Sequence, residues 1–144
     1  KKEDSHQIVL NEIIKFEAKV IDYQKSVLAR CKIMEAQAQP LTALEGLIRA
    51  ETLRRECQQD MMKLKEEIIP YATILVKSIA AEAEKIRADN GPKDAKDKLS
   101  ESQRRYAILN ERFLKGMKTL ERIYEAVETP VRKLYVSAGL TPDF

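Results

Sequence analysis

Tryptophan is absent from this 144-residue chain, and histidine occurs once, as His6. A lone imidazole in what reads as the first turn of a helix supplies neither a His-based triad nor a His-rich metal site. No Glu-x-x-His pair occurs, which removes the usual di-iron pattern of helical bundles. Cys-x-x-Cys and glycine-rich phosphate loops are missing as well. No run approaches the roughly 18–20 apolar residues needed to span a bilayer. The opening Lys-Lys-Glu-Asp-Ser-His-Gln leads into no unbroken apolar segment, so it does not read as a signal peptide. The inventory predicts a protein that is not an enzyme and takes no cofactor or metal.

Cysteine is sparse too. Cys31 and Cys57 suit a reducing compartment, and the chain is expected inside the cell, in the cytoplasm. If the chain folds back on itself near residue 40, Cys31 faces the region of residue 49. Cys57 then lies about eight residues further on, roughly 12 Å at 1.5 Å per residue, past the limit of about 7 Å for a disulfide. Both are expected to be small core residues.

What the chain does have is aliphatic and charged. Hydrophobic residues make up 44% and charged residues 34%, with both signs interspersed, while glycine (4) and proline (5) are few. That combination predicts solvated helix faces around one aliphatic core, hence an all-α single domain over residues 1–144.

Three stretches carry helical periodicity. In the first, about 5–38, Val9, Ile13, Phe16, Val20, Tyr23, Val27 and Met34 follow a heptad seam that only Arg30 interrupts. Leu10, Ile14, Ile21, Leu28 and Cys31 form a second stripe beside it, which predicts contact with two neighbours. Asp4 or Ser5 would cap this helix. Pro40, followed by the capping pair Thr42 and Glu45, marks a turn and a restart.

The second stretch, about 42–89, runs through Leu44, Leu47, Ile48, Cys57, Met61, Leu64 and Ile68. It ends in the most apolar run of the chain, residues 67–86. There residues 68, 71, 72, 75, 79, 83 and 86 make one face. Ile74, Val76 and Ala80 widen it, as expected for a helix covered on two sides. The register survives Pro70, which predicts a kinked continuous helix; a break giving four helices is the alternative.

Asp89-Asn-Gly-Pro-Lys-Asp94 reads as a loop. The third stretch, about 95–138, is capped by Asp94 or by the Ser100–Gln103 box. It holds Leu99, Tyr106, Leu109, Phe113, Leu120, Ile123, Val127 and Leu134 in heptad register, with Ser102, Gly116 and Pro130 at the remaining seam positions. Gly116 predicts a close approach of helix backbones. Gly139 is expected as a left-handed cap, with Leu140 folding back and Pro142 ending the helix. The predicted product is an elongated, antiparallel three-helix bundle with proline-kinked second and third helices, built of rods of roughly 50–70 Å.

Function is less legible. Glu66 with Glu67, Glu82 with Glu84, and Glu121 with Glu125 read as solvated surface, since adjacent helical residues point about 100° apart and basic neighbours are close. Formal charge is only +3, and the excess lies in residues 92–144, with eleven Lys and Arg against eight Asp and Glu. Arg104, Arg105, Arg112, Lys115, Lys118 and Arg122 lie off the third seam and could form one basic face. The lack of interleaved exposed aromatics and of a groove-reading motif argues against nucleic acid as a partner.

Three long helices with prolines inside the second and third resemble a BAR-type membrane-bending domain. They are also similar to spectrin-type bundles, though without the tryptophan usual there. The leading expectation is a non-enzymatic scaffold or adaptor that binds other proteins or itself through helical faces. The alternative is a peripheral membrane-binding or cytoskeletal-filament-binding domain that uses the basic face.

Overall fold

A computed structural model describes residues 5–38, 43–88 and 93–144. It contains three helices: α1 (Ser5–Ala38), α2 (Ala43–Ala88) and α3 (Lys93–Ser137). Among the described residues there is no strand. The class is all-α and the arrangement a three-helix bundle. The cap at Asp4, the turn at Pro40 and Thr42, and loop residues 89–92 lie outside the described residues, as do the side chains of Ser5, Glu82, Ile86, Asp94, Leu99 and Ser100. α3 is already helical at Lys93, so Ser100 stands inside the helix and is not its cap.

The chain divides into two compact units, one of Lys1–Ala18 with Lys65–Met117, the other of Lys19–Leu64 with Lys118–Phe144. Each unit takes one segment from every helix. In the first, His6 meets Arg105, and Glu17 meets Arg112, so α1 and α3 run parallel. In the second, Arg54 reaches Tyr124 and Glu51 reaches Tyr135, so α2 and α3 run antiparallel. These directions are those of an up-down-up chain with short connections.

The core is aliphatic and largely follows the heptads. Val9, Ile13, Phe16, Val20, Val27 and Met34 are buried in α1. The interruption at Arg30 has a simple resolution. The seam steps from Val27 to Cys31, and Arg30, half-buried beside it, pairs with Glu56 of α2. In α3 the seam passes Leu109, Leu120, Ile123 and Val127, then moves to Val131 instead of Pro130 and Leu134. A straight helix drifts about 20° per heptad, and over several heptads that drift hands the seam to the next residue along.

Several apolar residues expected inside are outside. Ile14, Ile21 and Leu28 of the second α1 stripe are about half-exposed, while Cys31 of the same stripe is buried. In α2, Leu44 and Ile48 are exposed; Leu47 is buried as expected, and Ala50 and Leu53 are buried beside it. Among the described side chains of the 67–86 run, burial is confined to one side. Ile68 and Leu75 are buried, whereas the widening residues Ile74, Val76 and Ala80 face solvent, as does Ile69, which the expected face did not include.

Pro70 and Pro130 both lie inside unbroken helices. Each removes one N–H donor from the ladder and stands away from the fully buried seam. Gly116 is approached not by a helix backbone but by the ring of Phe16. A Cβ there would lie 2.6 Å from Phe16 Cε2. The C-terminal cap is as expected. Gly139 adopts φ 75°, Gly139 N–H donates to Val136 O at 3.0 Å, and Leu140 N–H donates to Tyr135 O at 2.9 Å. That pair of bonds is a Schellman turn, and it sends the chain back along α3.

Candidate functional site

Two places in the molecule could recognise something, one in each unit. The first is a ridge on α2. Ile69, Thr73, Val76 and Ala80 are spaced 4, 3 and 4, which sets them on one line of the helix. All four are exposed, Ile69 by 51% and Val76 by 62%. Thr73 donates its hydroxyl to the Ile69 carbonyl at 3.1 Å, so the polar atom in the middle of the line is satisfied within the helix. Pro70 supplies no donor to its own turn. The result is an apolar edge with little hydrogen-bonding character, suited to another apolar surface. Burying each of its larger side chains would contribute roughly 1–2 kcal/mol.

The second place is a polar and aromatic cluster that apolar periodicity does not reveal. Arg54 occupies a heptad position of α2, since residues 47, 50, 54, 57 and 61 are spaced 3, 4, 3 and 4. Its side chain is only 12% exposed. Glu51, one turn earlier, accepts from Arg54 Nε at 3.0 Å and from Nη2 at 2.5 Å. Tyr124 of α3 takes a hydrogen bond from Arg54 Nη1 at 2.9 Å. Tyr135 of α3 donates to Glu51 Oε2 at 2.9 Å.

These contacts set the charges of the cluster. The Arg54 guanidinium holds the Glu51 carboxyl well below the usual carboxylate range, at about 2, against the opposing effect of burial. Glu51 in turn raises the pKa of Arg54. Burial and the Glu51 carboxylate push the Tyr135 phenol up, so it remains a neutral donor. The sequence signal that could have found the cluster is an Arg on a seam with a Glu three residues before it.

Cys31 and Cys57 are free and buried, as expected. Burial raises both thiol pKa values, which keeps them protonated. Cys57 Sγ lies 3.9 Å from Met61 Sδ, and Tyr23 donates to the Cys57 carbonyl at 3.4 Å. Burial also drives the Tyr23 phenol far above its ordinary value. Among the described residues no three His, Cys, Asp or Glu side chains are grouped so as to hold a metal ion. No helix, over the residues described, is long and apolar enough to cross a membrane.

The six basic residues of α3 fall into both units, Arg104, Arg105, Arg112 and Lys115 in the first, Lys118 and Arg122 in the second. Arg112 and Arg105 make defined contacts with α1. Arg112 forms a two-point pair with Glu17, at 3.1 and 2.5 Å, and Arg105 lies 3.2 Å from His6 Nδ1. Glu66, Glu67, Glu84, Glu121 and Glu125 are all exposed.

Comparison with family models, with curated proteins and with solved structures finds no match, and the functional reading therefore rests on this chain's own residues.

Proposed function

We propose that this chain is a non-enzymatic helical scaffold domain that binds other proteins, or a second copy of itself, through helix faces its own fold leaves uncovered. The observation that carries the reading is the α2 ridge. The most apolar run of the chain turns one side to the core and leaves Ile69 and Val76 open. Scattered exposed aliphatics are ordinary on a protein surface, but a line at helical spacing on one helix fits the way an amphipathic helix docks.

The test replaces Ile69 and Val76 with Glu together. Both are exposed, so the variant is expected to keep its helical circular dichroism and change stability by little more than about 0.5 kcal/mol. Light scattering over a dilution series should show association by the parent chain and its loss in the variant. Identical masses for the two proteins at every concentration, together with equal recovery of bound proteins, would refute the ridge. A basic-face reading is less favoured, because Arg112 and Arg105 already have partners within the chain.

A further inference from the structure

The Schellman turn at Gly139 returns the chain toward the Glu51–Arg54 cluster, where Phe144 makes a defined contact. The Phe144 ring lies over the Arg54 guanidinium, its centroid 4.1 Å from Cζ. Arg132 lies on the same ring at 5.4 Å. Tyr135 meets it edge-on, with centroids 5.5 Å apart and planes at 79°. The Phe144 main-chain oxygen accepts a hydrogen bond from Arg132 Nε at 3.0 Å.

The chemistry of this cleft follows from how Arg54 is held. A guanidinium has its N–H donors in its plane. Glu51 and Tyr124 take hydrogen bonds from all three Arg54 nitrogens along that edge. What remains is the flat cationic face, and an aromatic ring is the group that complements it. Arg132, whose Nη2 pairs with Glu128 at 3.0 Å, adds an Nε donor to a main-chain oxygen beside that ring.

We infer that the cleft formed by Arg54, Arg132 and Tyr135 is a receptor for an aromatic side chain on an extended peptide, and that residues 140–144 are its built-in competitor. The inference is independent of the ridge, which lies in the other unit. A segment tethered a few residues from its cleft competes at an effective concentration in the millimolar range. A partner peptide must therefore exceed that competition or meet a chain whose tail has been displaced.

The test uses the full chain and a fluorescein-labelled peptide of residues 140–144, read by fluorescence anisotropy. Phe144→Ala is expected to bind it at least tenfold more tightly than the parent chain. The same peptide with Ala in place of its Phe should not bind. Adding Arg132→Gln to Phe144→Ala should weaken binding severalfold. Gly139→Val keeps Phe144 but strains the left-handed turn, and should give an affinity between the parent and Phe144→Ala. Equal affinity of the parent and Phe144→Ala overturns the proposal, and so does no binding by a Phe144→Ala chain that retains its helical circular dichroism.

Discussion

Arg54 and Glu51 stand where a heptad would place apolar side chains or their close neighbours, and both are mostly shielded from water, Glu51 being 16% exposed. A shielded ion pair stabilises only when its remaining polar atoms are satisfied, and here two tyrosines complete the set. The Glu51 carboxyl has a folded pKa of about 2 against an ordinary 4.5. A depressed acid contributes stability above its unfolded pKa and loses it as pH falls through the folded value. Stability of the parent chain should therefore decline between about pH 4.5 and pH 2, by at most about 3 kcal/mol from this group. Glu51→Gln removes the titration. Urea unfolding at pH 7 and pH 3 should show a clearly smaller pH difference in the variant, and an equal difference would show that Glu51 is not the titrating group. Gly116 is the other residue whose environment decides its effect. Alanine is the better helix former by about 1 kcal/mol, yet its Cβ would strike a Phe16 ring buried against Phe113. Overpacking of that kind costs about 1–3 kcal/mol, so Gly116→Ala should lower stability on balance. Phe16→Leu should make the same alanine harmless or favourable, measured as a double-mutant cycle.

Helices were the most legible level of this molecule. Expected bounds of 5–38, 42–89 and 95–138 compare with Ser5–Ala38, Ala43–Ala88 and Lys93–Ser137. The seam residues Val9, Ile13, Phe16, Val20 and Val27 were legible because heptad spacing and helix geometry agree over short spans. Seam steps to Cys31 and Val131 were not, because they depend on how the drift of a straight helix is taken up. Burial of the wide 67–86 face is not legible for another reason. Periodicity states which residues share a face, not whether a neighbour covers it. The Arg54 cluster and Phe144 carry no periodic signal, because they are polar or lie past the last helix, where no period applies. At Pro70 the helix continues although one N–H is missing and the Glu66 carbonyl loses its donor. Pro70 is exposed, so Pro70→Ala should restore the bond without disturbing the core. Thermal unfolding should then rise, by an amount equivalent to about 1–3 kcal/mol. An unchanged or lowered midpoint would mean that the proline geometry is itself required.

At the scale of the whole molecule, one helix is asked to be core on one side and surface on the other, and two adjacent residues separate those roles. Leu75 is fully buried, while Val76 is 62% exposed. Leu75→Ala leaves a cavity that packed neighbours only partly fill, and should cost about 2–5 kcal/mol. Val76→Ala leaves no cavity in the lone chain and should shift stability by about 0.5 kcal/mol or less. If the ridge is a docking surface, the order reverses for association. Val76→Ala then removes contact area from the complex and weakens binding, while Leu75→Ala, assayed under conditions where it is still folded, leaves binding near the parent value. Denaturant unfolding at low concentration and light scattering at high concentration measure the two effects separately. A Val76→Ala chain that matches the parent in both assays would return Val76 to ordinary exposed surface and remove the ridge as the carrier of function.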